Sequence, residues 1–208
     1  MKNKRFLLGM LAIALAFGIT TVGCEGDLVP DAKLNGTWFN EYTGGGGSQT
    51  YKFDNGSYEY SMSGTIYSGP YSKGTYHTDD GTINWGKTWQ INGAYFVALA
   101  NYYSSLYASL GVALPSSVEY LSAFSSRWYS DKEYESILKQ YGQYTESDTT
   151  SVTTYQVSGN TLTLTSTSTK KSDGTVTTSS TTYTKKGGSS SGSSGGSDTI
   201  SPPTTNQN

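Results

Sequence analysis

Gln49-Thr50-Tyr51-Lys52-Phe53-Asp54-Asn55-Gly56-Ser57-Tyr58-Glu59-Tyr60-Ser61-Met62-Ser63 is the stretch on which the reading of the fold turns. Two short runs, Gln49 to Phe53 and Ser57 to Ser63, alternate in polarity at the period of a strand. Between them Asp54-Asn55-Gly56 forms a tight hairpin turn, because Asn and Gly accept positive φ. The same grammar extends in both directions. Upstream, Leu34 to Tyr42 reads as a strand and Gly44 to Gly47 as a flexible loop. Downstream come Thr65 to Tyr67, Tyr71 to His77 and Thr82 to Ile91, the last two joined by the turn Thr78-Asp79-Asp80-Gly81.

Residues 93–142 change character. Tyr95, Leu99, Tyr102, Leu106 and Leu110 fall at helical spacing, with Gly111 as a stop before Pro115. A second short helix carries Val118, Leu121, Phe124 and Trp128. A third opens on Ser130 with Glu133 three residues on, a capping box, and buries Tyr134, Ile137, Leu138 and Tyr141 before Gly142. At about 50 residues this insertion is too long for a plain connector, which makes it a lid or a lateral packing element. Strands then return over Ser151 to Val157, Thr161 to Thr169 and Thr175 to Lys185, across turns at Ser158-Gly159-Asn160 and Ser172-Asp173-Gly174. Leu162 and Leu164 mark one face, but long Thr runs leave the register weakly specified. With six or so strands before the helices and three after, the count approaches the eight that close a small antiparallel up-and-down barrel. The expected fold class is therefore mainly β: a small barrel with a helical insertion, followed from residue 187 to 208 by a Gly/Ser/Pro tail that is expected to be disordered.

Composition narrows the chemistry. The chain has 208 residues, one Cys, one His and a net charge of −2. A disulfide framework, a thiolate cluster and a multi-histidine metal site are excluded, and neither a metal nor a cofactor is expected. The Lys pairs at 170/171 and 185/186 are too short and isolated for nucleic-acid binding. His77 with Asp79 and Asp80 is the one cluster that suggests acid–base chemistry. It lies in or beside a predicted turn, where Asp is favoured for local hydrogen bonding, so no enzyme is expected.

The amino terminus sets the expected location. Lys2, Lys4 and Arg5 precede an uncharged apolar run from Phe6 to Ile19, which is the pattern of a secretory signal and shorter than the roughly 20 residues a spanning helix needs. Thr20-Thr21-Val22-Gly23-Cys24 resembles a bacterial lipobox, with Thr21 where the pattern prefers Leu. That resemblance implies cleavage of residues 1–23, acylation of Cys24 and a tether over residues 24–33. The protein is then expected in the bacterial cell envelope, held on an inner or outer membrane by its acyl chains. Removal of 1–23 takes three cations and no acid, leaving a mildly acidic chain at −5.

Leu34-Asn35-Gly36-Thr37-Trp38-Phe39 resembles the Gly-x-Trp opening of lipocalin-like barrels. Tyr51 to Gly56, Lys73-Gly74-Thr75-Tyr76 and Val157 to Leu164 are similar to pieces of short bacterial lipocalin-like lipoproteins. The resemblance covers about residues 34–91 and 150–186, and the domain is set at 34–186 with the insertion at about 93–142. It implies that Trp38 packs across the closed end of the barrel and that a basic residue from a late strand stacks on it, the candidates being Lys170, Lys171, Lys185 and Lys186. It also implies non-enzymatic binding of a small apolar or amphipathic ligand. The order Gly36-Thr37-Trp38-Phe39-Asn40 is similar to avidin-like barrels too, in which such an Asn helps to hold biotin. The candidate ligand residues are Trp38, Asn40, Trp85 and Trp89, the last two readable as a platform on one strand face, with core packing the favoured reading. The rival reading is a structural or interaction lipoprotein in which the barrel is only a scaffold. A barrel interior filled by side chains, with exposed aromatics on the insertion, favours that rival.

Overall fold

The computed structural model describes residues 30–42, 46–86 and 88–187. The signal segment 1–23, Cys24, most of the tether and the tail beyond Gly187 lie outside the described residues, as do Gly44 and Gly45 of the first loop. Ten strands form one sheet: β1 (Gly36–Glu41), β2 (Gly47–Asp54), β3 (Ser57–Gly64), β4 (Ser68–Asp79), β5 (Thr82–Trp85), β6 (Gln90–Asn92), β7 (Trp128–Ser130), β8 (Thr149–Ser158), β9 (Thr161–Lys170) and β10 (Val176–Lys185). Between β6 and β7 lie α1 (Gly93–Ser109) and α2 (Ser116–Glu119), and α3 (Asp131–Gln140) follows β7. Strands β1 to β5 and β8 to β10 pair antiparallel with their neighbours in sequence, and β10 returns to β1, so eight strands close an up-and-down barrel.

Local chemistry explains the hairpins. Asn55 (φ 43°) and Gly56 (φ 88°) turn β2 into β3, and Asp80 (φ 41°) and Gly81 (φ 74°) turn β4 into β5. Both are two-residue turns with positive φ at each centre, the geometry that matches the twist of the flanking strands. The second lies one residue later than the sequence suggests. Up-and-down order places these turns and the β8–β9 turn at one end, the closed end, and the β1–β2, β3–β4 and β9–β10 connections at the other, the mouth.

Three expectations need correction. Thr65 to Tyr67 is not a strand but the β3–β4 turn, held by the Gly64 N–H donating to the Tyr67 carbonyl at 2.9 Å. Thr82 to Ile91 is two strands, because the pairing on β4 slips by two residues between Tyr76↔Trp85 and Lys73↔Gln90. Gly86 sits at that break, its N–H bonded to the Thr75 carbonyl, so close that a Cβ there would collide with the Thr75 side chain. Finally, the second helix is only one turn of α2 followed by a 3₁₀ turn over Tyr120–Ala123. Phe124 is extended (ψ 146°), and Trp128 belongs to β7, which pairs with β6.

The ends of the first and third helices of the insertion follow the sequence. Asn92 caps α1 by accepting from the Ala94 N–H, and Gly111 (φ 65°) follows its end. Ser130 Oγ accepts from the Glu133 N–H at 3.3 Å while Glu133 Oε2 accepts from the Ser130 N–H at 2.9 Å, the reciprocal capping box. Ser130→Ala is expected to destabilise the domain by about 1 kcal/mol, measured as a lower denaturant midpoint with unchanged m-value. The insertion extends the barrel's core, with Phe96 and Phe124 stacked at 4.2 Å and Tyr134 and Tyr129 against them, joined to Tyr71 of β4 through Tyr95. It continues the barrel wall where β6 takes over from β5 beside β4 and pairs onward to β7 rather than to β8.

Candidate functional site

The closed end is sealed from within. The 3₁₀ turn Ala32–Leu34 puts Leu34 under the barrel at 0% exposure, and Trp38 stands on it, also at 0%, its indole N–H donating to the Leu34 carbonyl at 2.6 Å. Lys185 pairs with Trp38 across the β1–β10 seam and holds its ammonium 5.0 Å from the indole centroid. Among the four candidate lysines, Lys185 is the one at the Trp38 ring. Asp31 ties the plug to the wall: its N–H donates to Thr78 Oγ1 at 2.8 Å, and its carboxylate accepts from Tyr155 Oη at 2.9 Å. The Lys33 backbone N–H, ahead of the opposing effect of burial, holds the Asp31 carboxyl below its usual range.

Above this plug the inward side chains of consecutive strands are mostly rings. Tyr51 stacks on Phe53 at 5.4 Å, meets Tyr60 at 4.8 Å, and takes Tyr183 edge-on at 5.6 Å. Phe53 meets Tyr76 at 5.0 Å. Trp85 enters among them, 4.8 Å from Tyr58 and 6.2 Å from Tyr51, and its indole N–H reaches Thr153 Oγ1 at 3.3 Å. Leu162 and Leu164 complete the interior from β9. Burial pushes the phenols of Tyr51, Tyr58, Tyr60 and Tyr183 upward, because a phenolate has no water to solvate it there.

Toward the mouth the seam between β1 and β10 opens, and Asn40 bridges it. Its amide N–H donates to the Thr182 carbonyl at 2.8 Å, its carbonyl accepts from Gln49 Nε2 at 3.2 Å, and Gln49 Oε1 accepts from Tyr60 Oη at 3.0 Å. Asn40, a candidate ligand residue, therefore acts as a substitute for the ladder bond missing from that seam. Trp85 and Trp89 do not share a platform. The two-residue slip sends Trp85 into the barrel and Trp89 against Tyr134 of the insertion at 5.9 Å. Of the four candidate residues, Trp38 and Trp85 share the one core but lie at different levels, and Asn40 and Trp89 lie apart from them.

His77 lies in β4 opposite Asn84, and Asp80 forms the β4–β5 turn, so these residues are placed by the hairpin. On the outer wall, a shallow groove of about 400 Å³ runs between β2, β3, β4 and the start of β6, lined by Lys52, Glu59, Lys73, Tyr58 and Gln90. Lys52, Glu59 and Lys73 are direct neighbours across three strands, a row of alternating charge in which Glu59 lies between two cations.

Two features were not legible in the sequence as sites. The far half of α1 contributes no buried residue after Phe96, and Tyr102, Leu106, Leu110 and Val112 stand exposed at 38–64%. No charged residue occurs from Thr88 to Val118. The spacing of Tyr102, Leu106 and Leu110 was visible, but it reads as a buried face until the structure shows it uncovered. The other feature is the outer edge of β10, whose freedom depends on how far β1 extends. Comparison with protein-family models, with curated proteins and with solved structures finds no match to this chain.

Proposed function

We propose that this chain is a lipid-anchored envelope protein whose barrel is a scaffold and whose contacts are made at its surface, through the uncharged outer half of α1. The observation that carries this reading is the ring-packed interior. Tyr51, Phe53, Tyr58, Tyr60 and Tyr183 are each under 9% exposed and touch one another or Trp85 where a carrier would hold its cargo. The exposed Tyr102, Leu106, Leu110 and Val112 supply a surface of the kind that marks contact sites. The lipobox-like Thr20 to Cys24 supports the anchor, since several acyl chains together hold a protein on a membrane where one does not. Trp38 under Lys185 at the closed end supports kinship with lipocalin-like barrels, a fold that does not by itself fix a function.

Native mass spectrometry of the full chain, extracted from its membrane in mild detergent, tests both halves. The expected species lacks residues 1–23, carries acyl mass on Cys24 and has no stoichiometric small molecule. A stoichiometric adduct lost on denaturation overturns the scaffold in favour of a carrier. An unmodified Cys24 overturns the anchor.

A further inference from the structure

Among the described residues, the β1–β10 seam leaves part of a strand edge without a partner. β10 pairs with β9 over its whole length, from Val176↔Thr169 to Thr184↔Thr161, but meets β1 only at Lys185↔Trp38 and Thr184↔Phe39. The direction of each backbone group follows from the bonds that are made. Lys185 N–H donates to the Asn160 carbonyl on the β9 side, while Lys186 N–H donates to the Thr37 carbonyl on the β1 side. Antiparallel ladders alternate in this way, so even-numbered residues of β10 aim their N–H and C=O away from β9. Asn40 confirms the parity by donating to the carbonyl of Thr182. Beyond that bridge, the outward groups of Val176, Thr178 and Ser180 have no ladder partner among the described residues.

Folded proteins commonly guard such an edge with charge, Pro or a bulge. This one has none of these. From Gly174 to Thr184 the sequence contains no charged residue and no Pro, the β9–β10 register is unbroken, and residues 176–180 are all exposed, Val176 at 60%. Their side chains are already arranged for pairing, since Thr165 meets Ser180 at 2.8 Å and Thr167 meets Thr178 at 3.2 Å through hydroxyls on the outer face.

We propose that this edge binds the same edge of a second copy of the chain, with Thr178 facing Thr178 and Val176 facing Ser180. The length argues for this occupant. The free window is bounded by the Gly174 turn on one side and by Asn40 of β1 on the other, so a longer foreign strand would run into β1. An antiparallel copy, centred on Thr178, fits within residues 176–180 of both partners. It meets no like charge, and each of its three outward residues finds an outward residue opposite, which is the self-complementarity that a two-fold interface requires. The contact is small and polar, so it is weak for free molecules and gains from any tether that holds two copies on one surface. It goes beyond the function proposed above and does not depend on it.

The register makes a specific test possible, because only a residue on the two-fold axis meets itself. In the full chain, Thr178→Cys places two thiols about 5.5 Å apart at their Cα atoms, within disulfide reach. Mild oxidation is expected to give a dimer whose digest contains a 178–178 disulfide. Val176→Cys and Ser180→Cys should each stay unlinked alone and join to each other when the two variants are co-expressed. As a second measurement, Thr178→Lys, an outward substitution, is expected to keep the circular dichroism spectrum and melting temperature while abolishing dimers captured by an amine-independent cross-linker. A Thr178→Cys chain that stays monomeric, or 176–176 and 180–180 links that form as readily as 178–178, overturns the proposal.

Discussion

Above pH 10 this protein is expected to lose its fold in one steep transition. Burial, as the leading cause, raises the phenols of Tyr51, Tyr58, Tyr60, Tyr71, Tyr134 and Tyr183 above the ordinary range, so the folded state keeps them neutral where an unfolded chain would ionise them. The sign is fixed by linkage. Their stabilising effect is complete below the unfolded phenol pKa of about 10 and is lost as pH rises from there toward the folded values. Each such phenol removes about 1.4 kcal/mol per pH unit, and six together about 8 kcal/mol per unit. Against the roughly 5–15 kcal/mol that holds an ordinary domain, unfolding is expected between about pH 11 and 12. Phenolate absorbance should rise in two phases, the second coincident with loss of the far-ultraviolet circular dichroism. A smooth titration of every tyrosine with the spectrum intact would show that the ring-packed interior is open to water.

Trp38→Ala is the single substitution expected to cost most. The indole is fully buried, stands on Leu34 and closes the barrel, and truncating a Trp in such a place costs about 3–5 kcal/mol, from lost transfer energy and the cavity left behind. The Leu34 carbonyl also loses its donor. Lys185→Met, which removes the charge over the same ring and keeps an apolar stem, should cost about 0.5–1 kcal/mol by loss of the cation–π contact. The pair of variants separates two accounts of the closed end in denaturant titrations. Equal losses would mean that the cation, rather than the packing of Trp38 on Leu34, is what holds it.

The parts of this fold that were legible in the sequence are those decided within a few residues. Asn55-Gly56 and Asp80-Gly81 declare two-residue turns through their tolerance of positive φ, Ser130 with Glu133 declares a helix start, and Gly111 and Gly142 follow the ends of α1 and α3. The parts that were not legible depend on distant partners. The break after Trp85 is set by where Gly86 meets Thr75, and the unwinding before Trp128 by the pairing of β7 with β6. Of the candidate ligand residues, Trp38 is buried on Leu34 at the closed end. The neighbours of Asn40, Trp85 and Trp89 are set by a seam and a two-residue slip that no local pattern encodes. Thr-rich β8, β9 and β10 hide their register for a related reason: Tyr155, Val157, Leu162, Leu164 and Tyr183 mark the inner face near the closed end, and the ladder beyond them is written largely in hydroxyls that suit either face.

The pairing of residue 38 with residue 185 also governs when this molecule can become itself. The other neighbours in the barrel wall are one hairpin away except β8, which meets β5 across the insertion, whereas β1 must wait for β10, the last of the described strands. Contacts so far apart in the chain carry a large loop-closure cost before they return any stability, and they slow folding. Until the final strand arrives, Trp38 and the neighbouring rings have no lid on one side, so a chain stopped short of Thr184 presents an open, aromatic half-barrel to its surroundings. For this architecture the carboxyl end of β10 is the timekeeper of folding, and the interval before it arrives is when the protein is most exposed to capture by proteases and by its own kind.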